Sequence, residues 1–513
     1  MSAILWFCGV ATAVAAPTAD GTLMIGKPSE PDTLDPHVAQ SNNSLTITCK
    51  TYETLVKFAV VNGHATADVV PGLAQSWAVD PSGEVWDFTL APGHRFSDGR
   101  PVDAAAVKFS FDRLMRIAKG PNEDFPAIGA VEALDQRTVR FRLTYPFAPF
   151  LQSLANCGGD VVDPAVMAFA VNDDFAQGYL ATHSLGSGPY QIVHVEKGAE
   201  IVLEPNPYFP GPPPRIRRVV IKIIAEASVR RLELEKGDLD LIEEVSPDQI
   251  DVLRKKPDIV VIDEPCFRED LLFINSQRPP FDNVLVRQAL SFAIDYQGIV
   301  DFVLLGKAKQ MRGFIPEGFA GYDEAAPQFH YDPKKAQALL AQAGLRHLTI
   351  GFLYAKADPT WQTVGLIVQQ NLADIGVKLE LHEYSYTTMR DMIDRGDFDI
   401  AIGNYAPDFN DPSQYLNYWV DSRLFGLAGN RAFYKNPEVD AMIRRALSEK
   451  DPAARQTLYQ RAQRIAVEAA PYILLSQKHY EAAMRSNVHG FVFNPLLLQV
   501  FNFEDMWKSP SPN

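Results

Sequence analysis

Residues 398–419 read FDIAIGNYAPDFNDPSQYLNYW. Phe398, Ile400 and Ile402 recur with period two, as in a strand buried on at least one face. Pro407 stops the strand, and Asp411-Pro412 has the form of an N-cap followed by Pro at the first helical position. Asp408 is therefore expected just beyond the carboxyl end of a strand and ahead of a helix, where open α/β sheets bind ligands. Tyr405, Phe409, Tyr415, Tyr418 and Trp419 crowd the same segment. A carboxylate among aromatics is poorly solvated and favours a cationic guest. The competing reading is an Asp that only shapes a turn.

Outward from this segment, strands and helices alternate over 270–480. Asp332-Pro333 opens a helix that Gly344 ends; Leu348–Tyr354 and Val377–Glu383 read as strands around a helix over 360–375. Asn436-Pro437 and Asp451-Pro452 start two further helices. This alternation predicts an α/β domain with its own sheet. Residues 22–265 are richer in strands and turns, with strands at 85–90 and 138–143. A helix there starts after Asp103, with Val107, Phe111, Leu114 and Met115 on one face. Arg217–Ile224, Ile259–Asp263 and Leu271–Asn275 read as three more strands.

The 513 residues suffice for about three cores of ~150 residues. With 47% hydrophobic and 22% charged residues the chain is a packed globular protein. A net charge of -15 argues against a nucleic-acid partner, which demands clustered Lys and Arg. Residues 4–16, ILWFCGVATAVAA, are too short to span a bilayer and end in small residues, so 1–16 reads as a cleaved signal peptide, although Met1-Ser2-Ala3 lacks the usual positive charge. Export permits a disulfide among Cys49, Cys157 and Cys266, and the sequence does not choose the pair.

Enzyme signatures are missing. Gly306-Lys307 is followed by Ala308 and is not a phosphate loop; Gly186-Ser187-Gly188 runs into Pro189, which precludes the helix that a nucleophilic serine turn must enter. The sequence contains no HExxH and no zinc-type Cys/His spacing, so neither cofactor nor metal is expected.

The motifs PDTLDPH (31–37), YETLV (52–56), PGLAQSW (71–77), GSGPY (186–190), NPYF (206–209), PPFDNVLVRQALSFAID (279–295) and YDPKKAQALLAQAG (331–344) occur in this order along with the Asp408 segment. In them the chain resembles extracytoplasmic solute-binding proteins of the peptide/nickel class (family 5), the receptor components of ABC importers, over almost everything after residue 22. The resemblance implies a two-lobed periplasmic-binding-protein clamshell (type II, cluster C). Lobe I would comprise 22–56, 184–265 and 485–513, with an extra subdomain, 57–183, inserted. Lobe II would be 270–480, with a hinge near 265–270 and 480–485. A monomer that works with an inner-membrane permease is expected.

In peptide-binding members of that family an Asp matching Asp408 pairs with the ligand's ammonium. The resemblance places Asn404, Tyr405 and Ala406 along the peptide main chain, by strand addition, and Gln40 and Asn42 opposite them. Tyr384, Tyr405 and Trp419 would pack ligand side chains. The family's cleft arginine is replaced by Ile402, leaving Arg312 and Arg390 as candidates for holding a carboxylate. The ligand implied is a short peptide or peptide-like amine; the alternative is a non-peptide solute such as an opine, an oligosaccharide, a bile acid or a chelated metal.

Overall fold

A computed structural model describes residues 21–355, 358, 360–496 and 502–510. The expected signal peptide, 1–16, lies outside the described residues.

One eleven-stranded sheet runs through most of the molecule. Its order is Val377–Tyr384, Leu348–Ala355, Ile400–Tyr405, Ile259–Ile274, Tyr472–Arg485, Leu241–Glu243, Thr22–Lys27, Arg218–Ile223, Glu200–Pro205, Tyr190–Glu196, with Ala308–Gln310 also on Tyr472–Arg485. The two central strands, of 16 and 14 residues, pair antiparallel almost throughout. The near half of Ile259–Ile274 lies level with the strands of one lobe; its far half, Glu269–Ile274, pairs with Ile400–Tyr405 of the other. Among the described residues the strands of 270–480 are therefore continuous with those of 22–265 in one sheet, rather than forming the separate sheet that the alternation predicts. Ile259–Asp263 and Leu271–Asn275, separate strands in the sequence reading, are one strand. Pro265 cannot donate to the ladder, and the register shifts between Pro265 and Glu269. This interrupts the alternation that a sequence shows.

The helices start where their caps dictate. Asp332, Asn436 and Asp451 each cap a helix whose first residue is proline, the side-chain oxygen accepting from an amide of the first turn. Such a cap contributes roughly 1 kcal/mol. Trp361–Ala373 and Val284–Ala293 cover the sheet with Trp361, Val364, Val368, Val286 and Leu290, all buried in the largest core.

A separate antiparallel sheet, in the order Ala74–Val79, Val85–Leu90, Thr138–Leu143, Ile128–Ala133, carries the helix Ala104–Ile117. Phe111 meets Phe141 edge to face at 4.9 Å, and Phe88 meets Phe141 at 5.6 Å. The 3-10 turn Gly120–Asp124 follows this helix. Cys49 and Cys157 form the disulfide, over a separation of 108 residues, and Cys266 is buried and free. The bridge ties the helix Asn42–Thr51 to the stretch beside Asn156. The GSGPY turn packs on the end of the same helix, where a Cβ on Gly186 or Gly188 would strike the carbonyls of Thr51 and Lys50.

Candidate ligand-binding site

A cavity of about 550 Å³ opens between two walls. Gln40, Asn42, Glu123, Asp124 and Asn156 line one; Arg390, Asn404, Tyr405, Ala406, Asp408 and Tyr418 line the other. The walls are in contact. Arg390 Nη2 donates to Gln40 Oε1 at 3.1 Å, and Gln414 Nε2 donates to Asp124 Oδ1 at 3.2 Å.

Ile400–Tyr405 is buried on both faces, through Ile400, Ala401 and Ile402. On one side it pairs from Ile400 to Tyr405 with Ile259–Ile274. On the other it pairs with Leu348–Ala355 only at Ile400 and Ala401, so the edge from Ile402 onward carries no strand among the described residues. The chain then turns at Pro407. The turn is fixed by Gln414, whose Oε1 accepts from the Asp408 amide and from the Tyr405 hydroxyl, both at 2.8 Å. Asp411 caps the next turn through Ser413 N and takes both arms of Arg455 at 2.8 Å. Asp411 is thus neutralised within the fold.

Asp408 is not. Its carboxylate has no hydrogen-bond or ion-pair partner among the described residues. Burial holds its carboxyl well above the ordinary range, and the Asp124 charge pushes the same way. Burial also lifts Asp124 to about 6, against hydrogen bonds from Gln414 and Asn156. Glu123 rises to about 8 through burial and then the charge of Asp124, with Arg431 opposing. Three acids with suppressed ionisation around one cavity favour a positively charged guest, which would restore their charge.

Arg431 is the cationic counterpart. It lines the cavity, is 8% exposed, and has no carboxylate within ion-pair distance among the described residues. Its Nη2 donates to the Tyr418 hydroxyl at 2.5 Å, and its buried Nε is without a partner. The guanidinium lies 5.1 to 5.5 Å from the rings of Trp419, Tyr418 and Phe273.

Asp408, Asn404, Tyr405, Ala406, Gln40 and Asn42 all border the cavity; Trp419 and Tyr384 do not. Trp419 is fully buried, donates its indole N–H to Glu269, and packs on Phe273 and Tyr472. The aromatic at the cavity is Tyr418, stacked on Tyr405 at 4.3 Å. Tyr384 ends its strand and packs against the core of its lobe. Arg312 donates to Ala326 O and Gln328 Oε1, away from the cavity that Arg390 lines. The sequence reading did not single out Glu123, Asp124, Gln414 or Arg431. Only tertiary contact brings them to Asp408, although the acid pair after Gly120-Pro121 is a local hint.

No group of His, Cys, Asp and Glu among the described residues is arranged to hold a metal ion, and no helix there is long and apolar enough to cross a membrane.

Comparison with known proteins adds three findings. Residues 68–425 match the family model of bacterial extracellular solute-binding proteins, family 5. The chain is 43% identical over 486 residues to the Escherichia coli K12 protein named "Probable D,D-dipeptide-binding periplasmic protein DdpA", covering 95% of this chain and 94% of that one. Among solved structures, the Helicobacter pylori periplasmic binding protein DppA, in complex with the peptide STSA, superposes with a TM-score of 0.88 at 27% identity. That match covers 96% of this chain and 98% of the other.

Proposed function

The chain belongs to the family 5 bacterial extracellular solute-binding proteins, and on that premise we propose that it is the periplasmic receptor of an ABC importer. It captures a short peptide or peptide-like amine and delivers it to an inner-membrane permease. No bond is made or broken. The observation that carries this reading is the carboxylate of Asp408, which borders a cavity between two lobes with no cation to pair with among the described residues. An ammonium group completes it.

The edge beyond Ala401, which carries no strand among the described residues, suits an extended backbone, which would add to Ile400–Tyr405 as a further strand near Asn404, Tyr405 and Ala406. Gln40 and Asn42 close over it from the opposite wall. Arg431 receives a carboxylate at the other end of a short zwitterion. The lobes pivot where Ile259–Ile274 changes register between Pro265 and Glu269. The relative named for D,D-dipeptides makes these the first ligands to try.

The test is calorimetric titration with L,L- and D,D-dialanine and their N-acetylated forms. Binding of an unblocked dipeptide, lost on acetylation and weakened more than tenfold by Asp408→Ala, supports the reading; removing one partner of a desolvated charge pair costs ~2–5 kcal/mol. A guest that binds equally well to Asp408→Asn, as a neutral sugar would, overturns it.

A further inference from the structure

Two acids from opposite walls meet at the same end of the cavity. Asp124 closes the 3-10 turn Gly120–Asp124, whereas Asp408 follows the strand Ile400–Tyr405. Gln414 is shared between them. Its Oε1 accepts from the Asp408 amide at 2.8 Å, while its Nε2 donates to Asp124 Oδ1 at 3.2 Å. Asn156 Nδ2 donates to the other oxygen of Asp124 at 2.7 Å. The backbone of Asp408 and the carboxylate of Asp124 are therefore both fixed, yet neither acid has a cation within ion-pair distance among the described residues.

We propose that Asp124 is the second anchor of the guest's ammonium group, supplied by the wall opposite Asp408, so that the guest's charge itself clamps the lobes together. This rests on the peptide reading above and deepens it. An ammonium has three N–H donors and no acceptor. One carboxylate on each wall takes one donor apiece, so that the ammonium links the two walls.

Two further observations point to a ligand at this place. Asn156 is 3% exposed and lines the cavity, and its Oδ1 finds no donor among the described residues. Arg431, 8% exposed on the same cavity, has no carboxylate within ion-pair distance among the described residues. A guest with an ammonium at one end and a carboxylate at the other addresses the acids and the guanidinium together. Without a guest, burial and mutual repulsion keep Asp408 and Asp124 from both being ionised in the closed cavity, so the empty site holds protons that a cation would displace. With an ammonium between them the same pair attracts across the gap. Their suppressed ionisation fits this: Asp124 stands at about 6 and Glu123 beside it at about 8.

The experiment compares wild type, Asp408→Asn and Asp124→Asn. D,D-dialanine is titrated by calorimetry at pH 7 in two buffers of different ionisation enthalpy, and small-angle scattering is recorded with and without saturating dipeptide. Asp124→Asn keeps the shape and one of the two accepting positions, its new amide donating where Asn156 can turn its own unpaired Oδ1 to accept, and its thermal melt checks folding. Asp124→Ser is the second variant. The proposal expects each Asp124 variant to bind more than tenfold more weakly than wild type. It also expects wild type to release protons on binding and Asp124→Asn to release fewer. The radius of gyration should contract with dipeptide in wild type and contract less in Asp124→Asn at the same concentration. Folded Asp124 variants that bind with wild-type affinity, while Asp408→Asn does not, overturn this proposal and leave the peptide reading standing. Wild type that binds neither L,L- nor D,D-dialanine overturns both.

Discussion

The guanidinium of Arg431 donates to the hydroxyl of Tyr418 at 2.5 Å and to no carboxylate among the described residues. A buried arginine held by a neutral oxygen and ring faces, with Glu123 and Glu269 acting on it only from beyond ion-pair distance, keeps donors free for an anion. It is therefore placed to take an anion from the cavity. Arg431→Gln should weaken binding of an unblocked dipeptide more than tenfold and leave the affinity of its C-terminal amide almost unchanged. A titration of both ligands against both proteins forms a thermodynamic cycle. Equal losses for the two ligands would show that Arg431 supports the site without touching the carboxylate.

Stability should depend on pH through the cavity acids. Folded Glu123 keeps its proton up to about 8, whereas an ordinary glutamate loses it near 4.5. Between those values the native state binds more protons than the unfolded one, so stability falls as pH rises. Glu481, lifted to about 7, and Asp124, at about 6, act with the same sign. Buried His37, lowered from 6.5 to about 4, acts oppositely, but only below 6.5. From pH 6.5 to 8 the ligand-free protein should thus melt at progressively lower temperature. Glu123→Gln should flatten that slope in a calorimetric scan; a melting temperature that rises across this window would contradict the assignment.

The bridge between Cys49 and Cys157 anchors the helix that begins with Asn42 to the segment next to Asn156, so it fixes one wall of the cavity. A loop of this length is worth ~4–5 kcal/mol in a chain-entropy account. Cys157→Ser should lower the melting temperature by several degrees and reduce dipeptide affinity. Cys266→Ser, at the buried thiol whose Sγ reaches the Lys478 carbonyl, should leave affinity unchanged. Mass spectrometry after alkylation under native conditions checks the pairing.

What could be read from the sequence follows the range of the forces involved. The helix starts at Asp332, Asn436 and Asp451 were legible because a cap and a proline act within one turn. Val85–Leu90 and Thr138–Leu143 were legible from alternation. The place of Asp408, on a turn just beyond a strand, was legible because strand and turn are both local. The continuity of Ile259–Ile274 was not, since Pro265 and the bulge after it look like an ending. Trp419 illustrates the opposite error: an aromatic near a binding segment was read as ligand-facing, but its indole N–H is satisfied inside the core by Glu269. Asp124 lies 284 residues before Asp408, and no pattern in the chain announces their meeting.

Next to the cavity, the crossing strands carry a buried network. Lys478 Nζ lies 3.1 Å from Asp270 and 3.2 Å from Asp358, and Arg268 reaches Asp358 at 2.5 Å and Asp270 at 3.3 Å. Two cations thus face two acids. Burial alone would raise the Asp358 carboxyl, but Lys478 and Arg268 outweigh it and hold it well below the ordinary range. Removing one cation leaves an uncompensated buried charge, which typically costs ~3–5 kcal/mol. Lys478→Met should therefore destabilise the protein strongly at pH 8. The loss should shrink towards pH 5, because two buried acids left with the single cation Arg268 take up a proton more readily in the folded state than in the unfolded one, and stability then rises as pH falls. Denaturant melts at both pH values measure this. A variant equally destabilised at pH 5 and pH 8 would mean that Lys478 acts by packing its stem rather than by its charge.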